Sequence, residues 1–208
     1  MRTPAIRGLY AVTDTVLLQG RLLPAVTAAV AGGAGIVQYR DKSSEHARRL
    51  QEACALRRLC HDHGALLLIN DDVELALQSG ADGVHLGQSD TALALARQHL
   101  GAGAVIGITC HDRPDLAMAA IAGGADYLAF GAMFASATKP QARVCPLGML
   151  STPLPASLPR VAIGGITPDN VRSIIDAGAH AVAVVASLWN APDIRARARQ
   201  FSQEFDPQ

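Results

Sequence analysis

The sequence has few aromatic residues, few charges and no long apolar run. Aromatic residues make up 4% and charged residues 17% of the 208 positions, whereas half of the positions are apolar. We therefore expect one domain with a core of Ala, Val, Leu and Ile, the composition of a parallel sheet that is buried on both faces. No segment reaches the roughly 18 apolar residues of a membrane span, and the N-terminus lacks the apolar stretch of a signal peptide. These absences predict a cytoplasmic protein without a membrane partner.

A charge imbalance and a cysteine motif are also missing. The 18 basic residues equal the 18 acidic residues in number, and no basic run is interleaved with aromatic residues. Nucleic acid is therefore a poor candidate for the partner, and small-molecule substrates are favoured. Cys54, Cys60, Cys110 and Cys145 have no CxxC spacing. We expect free thiols rather than disulfides or a zinc site.

The chain does contain an internal repeat. Four helix-like stretches end in Gly-Ala and are followed by an apolar strand, with the glycines at Gly33, Gly80, Gly124 and Gly178. Glycine at this point adopts the left-handed conformation that closes a helix and turns the chain into a strand. The successive repeats are 47, 44 and 54 residues apart, about twice the length of a short βα unit. Each step therefore contains a further strand.

The further strands are short aliphatic runs between turn residues. They cover 66–69, 105–109 and 161–163, and the segment 9–13 precedes them all. The resulting eight strands alternate with helical stretches rich in Ala, Leu and Arg, such as 46–61, 92–100 and 115–122. This alternation predicts a single-domain α/β fold over residues 1–208, a (β/α)₈ TIM barrel, with an open doubly wound sheet as the alternative.

Polar residues follow the predicted strands at the edge where barrel enzymes hold their active sites. In strand order they are Thr13 and Asp14; Gln38, Arg40 and Lys42; Asn70 and Asp71; Gln88 and Asp90; Thr109 and His111; and Ser136, Thr138 and Lys139. The seventh strand is followed by Gly164 and Gly165, and the eighth ends at Val185, Ala186 and Ser187. Glycines and small residues at these last two loops favour a phosphate site.

The second strand carries a cationic set. Because strand side chains alternate, Gln38, Arg40 and Lys42 share one face, and Tyr39 and Asp41 point the other way. This arrangement suits a multiply charged anion, whereas the alternative is a solvated strand end where Asp41 neutralises its neighbours. The chain has two lysines, Lys42 and Lys139. Since all other basic residues are arginine, we expect a compact ammonium to be required at both positions.

Two carboxylates are expected to face each other. Asp71 and Asp90 end the third and fourth strands, which are neighbours in a barrel. Mg²⁺ binds one or two protein carboxylates while phosphates and water fill its other positions, although a pair of surface carboxylates is the alternative.

His111 is a candidate proton donor or acceptor with a structural role as the alternative. His85 is expected in the core or at the edge of a ligand.

Together these segments resemble the thiamine-phosphate synthase family over nearly the whole chain, from Leu9 to Val185. The matching motifs are the segments 9–14, 38–42, 70–71, 81–90, 136–139 and 162–166, with the sequences LYAVTD, QYRDK, ND, ADGVHLGQSD, SATK and AIGGI. The resemblance implies condensation of a pyrimidine diphosphate with a thiazole phosphate, which gives thiamine monophosphate and pyrophosphate. The leaving diphosphate needs charge compensation but no protein nucleophile.

The resemblance also implies roles for individual residues. The pyrimidine diphosphate would be held by Gln38, Arg40, Lys42, Asn70 and Lys139. Thr109 would also bind substrate, and Arg40, Lys42, Thr109 and Lys139 would be catalytic. Asp71 and Asp90 would hold Mg²⁺. The thiazole phosphate would be held by Ser136, Ala137, Thr138, Gly165 and the amides of Val185 and Ala186. The family usually has Ser, Thr and Ser at positions 109, 136 and 186, so the first two changes keep a hydroxyl and the third loses one.

Two alternative functions remain open at this point. A related thiazole tautomerase would use His111 as a base and would need no magnesium or pyrophosphate. That relative typically lacks the QxRxK and GQxD sets that are present at 38–42 and 87–90. The other alternative is a phosphate-ligand sensor that keeps the pocket without turnover.

Overall fold

The chain forms a closed barrel of eight parallel strands in sequential order. This computed structural model describes residues 6–135 and 143–205. The strands are β1 (Gly8–Val12), β2 (Ala34–Tyr39), β3 (Leu66–Asn70), β4 (Gly83–Leu86), β5 (Val105–His111), β6 (Tyr127–Gly131), β7 (Arg160–Ile163) and β8 (Ala181–Val184). Pairing of β1 with both β2 and β8 closes the barrel. The predicted barrel is confirmed, and the open doubly wound sheet is wrong.

Helices pack around this barrel. They are α1 (Leu22–Ala31), α2 (His46–Asp62), α3 (Val73–Ser79), α4 (Leu93–Leu100), α5 (Pro114–Ala122), α6 (Val171–Asp176), α7 (Ala186–Trp189) and α8 (Ile194–Gln203). Within the described residues, no helix is long and apolar enough to cross a membrane. The cysteines Cys54, Cys60, Cys110 and Cys145 are free.

The Gly-Ala turns adopt the predicted conformation. Gly33, Gly80, Gly124 and Gly178 have φ values of 104°, 66°, 82° and 108°. A side chain is strained at such angles, whereas glycine is not. These four glycines therefore direct the chain from a helix into the next strand.

Alternation along the strands divides the core into two layers. One apolar cluster fills the barrel and includes Tyr10, Leu68 and Tyr127, while a larger one packs between the strands and the helices. The interior is tight at Gly107, where a Cβ atom would lie 1.9 Å from Cζ of Tyr127. Glycine on β5 thus leaves room for a buried aromatic ring on β6.

The connection between β6 and β7 departs from the predicted alternation. Its described part contains a short 3-10 helix, Leu147–Leu150, rather than an α-helix. Prolines at 140, 146, 153, 155 and 159 explain the difference, because proline lacks the amide hydrogen and clashes with the preceding helical turn. The predicted alternation therefore holds for the barrel as a whole, with a 3-10 helix instead of an α-helix in the described part of this crossover.

The end of β8 also differs slightly from the prediction. The strand ends at Val184, and helix α7 begins at Ala186. The residues Val185 to Ser187, predicted as the strand end, therefore form the start of a helical turn. Trp189 in this turn donates from Nε1 to the carbonyl oxygen of Val12 at 2.6 Å. This hydrogen bond joins the turn after β8 to the end of β1.

Candidate active site

The strand β2 presents its side chains to two different environments. Gln38 is buried inside the barrel, where its Nε2 donates to the hydroxyl of Tyr10 at 2.6 Å. Tyr39 points toward the helices and donates to Glu52 of α2 at 2.6 Å. The predicted alternation of faces is therefore present along this strand.

Asp41 is neutralised on the helix side of the barrel. Its carboxylate accepts from Arg48 of α2 at 2.7 Å and from the amide of Ser43 at 2.7 Å. Burial favours the neutral acid, but the hydrogen bonds from Ser43 and Arg48 outweigh this effect and hold the pKa of Asp41 below its usual value. The interpretation that Asp41 neutralises Arg40 and Lys42 is wrong, because α2 supplies its partner.

Arg40 has no such partner. Its backbone amide donates to the hydroxyl of the buried Thr13 at 2.8 Å, which fixes the chain where β2 ends. Among residues 6–135 and 143–205, Arg40 is the one partly buried arginine whose guanidinium makes no hydrogen bond or ion pair. An unpaired, partly buried guanidinium at the barrel mouth is suited to an anionic ligand.

The two predicted carboxylates lie close together after β3 and β4. Asp71 follows β3 with a left-handed φ of 62°, and its Oδ2 accepts from the side chain of Asn70 at 2.6 Å. Asp90 accepts from the amide of Gly87 at 2.6 Å. Burial and the neighbouring Asp90 carboxylate raise the pKa of Asp71. A cation between the two groups would relieve this repulsion.

Lys42 completes this cluster from the end of β2. Its Nζ lies 3.3 Å from Oδ2 of Asp71, and its side chain is 63% exposed. A cleft of about 510 Å³ opens beside the cluster and extends toward Thr91 and His99. Lys42, Asn70 and Asp71 all line this cleft, so a ligand in it would meet both the Lys42 ammonium and the Asp71 carboxylate.

Polar side chains also form a connected chain inside the barrel. The hydroxyls of Tyr10 and Tyr127 are 2.9 Å apart, and Tyr127 contacts Nδ1 of His85 at 2.8 Å. The other ring nitrogen of His85 lies 2.8 Å from Oγ1 of Thr109. Burial lowers the pKa of His85 to about 4, against the opposing effect of Asp90, so the ring is neutral at pH 7.

Sequence reasoning missed the contribution of these tyrosines. Tyr10 and Tyr127 are 117 positions apart in the chain, and each lies in an apolar run that identifies it only as a core residue. A signal was nevertheless present, because a buried tyrosine hydroxyl requires a hydrogen-bonding partner.

The carbonyl oxygen of Thr109 accepts from the side chain of Gln88 at 2.6 Å, which joins the loop after β4 to β5.

Close backbone approach occurs after β7. Gly164 and Gly165 have φ values of 101° and 65°, and a Cβ atom on Gly165 would lie 2.7 Å from the carbonyl oxygen of Ala135. The carbonyl oxygen of Gly165 accepts from Asn170 at 3.0 Å, which orders this loop. Val185 and Ala186 lie at the start of α7, where the first backbone amides have no partner within the helix.

Several predicted residues lie apart from this cluster or outside the described part of the chain. Ser136, Ala137, Thr138 and Lys139 fall within 136–142, which is not described. His111 ends β5 as an exposed residue with a φ of 54°. Its neighbour Asp112 forms an ion pair with Arg143 at 2.9 Å. No contact of the described residues joins His111 to Asp71 or Arg40.

Comparison with known proteins identifies the relatives of this chain. A family profile described as thiamine monophosphate synthase matches residues 9–188, which include every described residue of the site. The chain belongs to this family. The thiamine-phosphate synthase of Chromobacterium violaceum is 51% identical over 202 residues, which are 97% of this chain and 98% of that protein. That of Thioalkalivibrio sulfidiphilus is 52% identical over 203 residues, with 97% and 96% covered.

Solved structures agree with the family assignment. The thiamine phosphate pyrophosphorylase of Pyrococcus furiosus superposes with a TM-score of 0.85 at 30% identity, covering 96% of this chain and 95% of that one. A protein described as native KDPGal has a TM-score of 0.74 at 21% identity, with 99% and 98% covered, and this likeness shows the barrel fold alone. Family, sequence and fold together identify the chain as a transferase of the thiamine-phosphate synthase type.

Proposed function

We propose that the chain acts in the cytoplasm and joins 4-amino-2-methyl-5-(diphosphooxymethyl)pyrimidine to 4-methyl-5-(2-phosphooxyethyl)thiazole, with release of pyrophosphate. The observation that carries this proposal is the adjacency of Lys42 to Asp71, with a distance of 3.3 Å between ammonium and carboxylate. Together with the unpaired Arg40, they supply both a cationic surface for a diphosphate and a carboxylate for a metal. A diphosphate that is bound with a divalent cation requires both kinds of group.

Mg²⁺ fits the residues at the mouth of the barrel. Asp71 and Asp90 carry oxygen ligands, and burial together with the neighbouring Asp90 carboxylate raises the pKa of Asp71. Within the described residues no cluster of three or more His, Cys, Asp or Glu side chains is suited to a metal. Mg²⁺ bound by these two carboxylates would take its remaining ligands from phosphate and water. When bound, Mg²⁺ would neutralise charge on the diphosphate.

The chain's own cations would stabilise the leaving group. Negative charge builds on the bridging oxygen as the diphosphate leaves the methylene carbon, and the electron-rich aminopyrimidine stabilises the resulting cation. Arg40 and Lys42, which follow β2, would bind the departing oxygens, and Lys139 would contribute from the sequence between β6 and β7. Such preorganised charges lower the barrier because they are in place before the charge develops.

The protein would also hold the two substrates in line. The thiazole nitrogen attacks the methylene carbon, so no side chain needs to act as a nucleophile. The left-handed Gly164 and Gly165 and the amides of Val185 and Ala186 would hold the thiazole phosphate, together with Ser136, Ala137 and Thr138. Proximity of bound reactants is itself a large part of such catalysis.

The decisive experiment is an assay with the purified full chain and both heterocyclic phosphates. Thiamine monophosphate and pyrophosphate should form in equal amounts, and omission of Mg²⁺ should abolish both. A chain that isomerises a thiazole phosphate without the pyrimidine would be a tautomerase. A folded chain that binds both phosphates without product would be a sensor, and either outcome would contradict the proposal.

A further inference from the structure

A network of hydrogen-bonded polar side chains lies inside the barrel, and the proposed reaction does not use most of its members. It begins at Gln38 on β2, continues through Tyr10 on β1 and Tyr127 on β6 to His85 on β4, and ends at Thr109 on β5. Each of its four contacts is between 2.6 and 2.9 Å. The rings reinforce this arrangement, because His85 stacks on Tyr127 with centroids 5.6 Å apart. Its two ends, Gln38 and Thr109, are residues that the family resemblance implies for substrate binding.

The direction of the first hydrogen bonds follows from the amide of Gln38. Its Nε2 is a donor only, so the hydroxyl oxygen of Tyr10 accepts. Tyr10 keeps one proton, and its other partner is the hydroxyl of Tyr127. Tyr10 therefore donates to Tyr127, and Tyr127 donates its own proton to Nδ1 of His85.

The tautomer of His85 then follows. A neutral imidazole has one accepting nitrogen and one donating nitrogen. Because Nδ1 accepts from Tyr127, the proton lies on Nε2, which donates to Oγ1 of Thr109. The proton of the Thr109 hydroxyl is then available to a different acceptor.

With the Gln38 amide in the orientation that the structure shows, the opposite direction would leave a buried proton without an acceptor. If Tyr127 donated to Tyr10, the proton of Tyr10 would have no acceptor among its described partners. Tyr10 is only 1% exposed, so water could not replace the missing acceptor. Burial also raises the pKa of Tyr10 to about 12 and that of Tyr127 well above its usual value, so both hydroxyls keep their protons.

We propose that Tyr10, Tyr127 and His85 are positioning residues that present Gln38 as a hydrogen-bond acceptor and Thr109 as a donor to the pyrimidine substrate. Gln38 uses its amide nitrogen within the barrel, which leaves its carbonyl oxygen for the ligand. An aminopyrimidine has the complementary pattern, since its amino group donates and its ring nitrogens accept. The identity of the ligand in this inference rests on the proposed function. The direction of the hydrogen bonds is independent of that function.

The direction can be measured without substrate or turnover. Nitrogen-15 NMR of the labelled full chain reports which ring nitrogen of His85 carries the proton. We expect the Nε2–H tautomer at pH 7 in the wild type, and a mixture of tautomers in Tyr127→Phe, which keeps the ring and removes the hydroxyl. The Nδ1–H tautomer or a doubly protonated ring in the wild type would overturn the proposal, even in an active enzyme.

Kinetics test the consequence for the substrate. Loss of one neutral hydrogen bond changes affinity by about 3- to 10-fold. Tyr127→Phe and Thr109→Val should raise the KM of the pyrimidine diphosphate by about this factor, without a change in the KM of the thiazole phosphate. Thr109→Ser should have the wild-type KM for the pyrimidine diphosphate, because it keeps the hydroxyl.

Tyr39→Phe is the matched control. It removes a buried tyrosine hydroxyl from β2, but on the helix side, where Glu52 is the partner. Its KM values should equal those of the wild type. An equal rise of the pyrimidine KM in Tyr39→Phe and Tyr127→Phe would overturn the proposal, as would an unchanged KM in both Tyr127→Phe and Thr109→Val.

Discussion

Lys42 Nζ lies 3.3 Å from Oδ2 of Asp71, so a cation that follows β2 contacts a carboxylate that follows β3. Asp71 is one of the two groups that we propose as ligands of Mg²⁺. Under this proposal the ammonium and the metal would compete for the same carboxylate. Lys42 would become available to the diphosphate when the metal binds Asp71, which would couple the binding of the two ligands.

The first prediction follows from this competition. Lys42→Met removes the competing charge, so Mg²⁺ without substrate should bind more tightly, by about two- to fivefold for an exposed ion pair. The affinity for pyrophosphate should fall in the same variant. Isothermal titration calorimetry measures both, with Lys42→Arg as the charge-preserving control. Weaker Mg²⁺ binding in Lys42→Met would show that the two cations do not compete.

The second prediction concerns the carboxylates themselves. Asp71→Asn and Asp90→Asn keep the shape of the side chain and remove its charge, so Mg²⁺ affinity should fall by about tenfold or more. Turnover at limiting Mg²⁺ should fall with it. Asp115→Asn serves as the control, because Asp115 is an exposed partner of Arg113 on the surface. Unchanged activity of both site variants would identify Asp71 and Asp90 as surface residues.

The third prediction addresses the second lysine. If the ammonium of Lys139 stabilises the leaving pyrophosphate, Lys139→Ala should lower kcat by about 10² to 10³, as for a lost oxyanion donor. Lys139→Arg should rescue only part of this loss, because a planar guanidinium does not replace a compact ammonium. Single-turnover kinetics and circular dichroism separate chemistry from folding. Full activity of Lys139→Arg would show that any cation suffices.

The fourth prediction is a pH dependence of stability. Because burial lowers the pKa of His85 from 6.5 to about 4, the unfolded chain binds a proton between these values and the folded chain does not. This contribution to the free energy of unfolding is present above pH 6.5 and is lost as the pH falls toward 4. Between about pH 7 and pH 5 the loss amounts to roughly 2 kcal/mol.

Urea unfolding of the wild type and His85→Asn at both pH values measures this effect. The asparagine does not titrate, so the variant should lose less stability on acidification than the wild type. His99→Asn is the control, since His99 is exposed on α4. The same loss in wild type and His85→Asn would contradict the assignment of a depressed pKa to His85.

Much of the fold could be predicted because its signals are local. The Gly-Ala turns at Gly33 and Gly178 follow helix ends. Both glycines have a positive φ, which glycine adopts without the strain that a side chain would cause. The crossover from β6 to β7 was predicted less well, although its prolines were visible in the sequence. The repeat predicts an α-helix there. The described part of the crossover has a 3-10 helix instead, because proline lacks the amide hydrogen that an α-helix needs.

The site was predictable to the extent that it follows strand ends. Lys42 and Asp71 follow neighbouring strands and are in contact, because the carboxyl ends of parallel barrel strands lie at the same edge. The partner of Asp41 could not be predicted, because Arg48 reaches it from the first turns of α2 and depends on how that helix packs. The contact of His85 with Tyr127 depends on barrel closure over 42 positions, which no local pattern encodes.

The most direct test of the account is a crystal structure of the full chain with pyrophosphate and Mn²⁺, located by its anomalous signal. The account predicts one metal ion held by Asp71 and Asp90, with pyrophosphate oxygens that contact the metal, Arg40 and Lys42. Pyrophosphate bound away from Arg40 and Lys42, or a metal ion that contacts neither carboxylate, would contradict it.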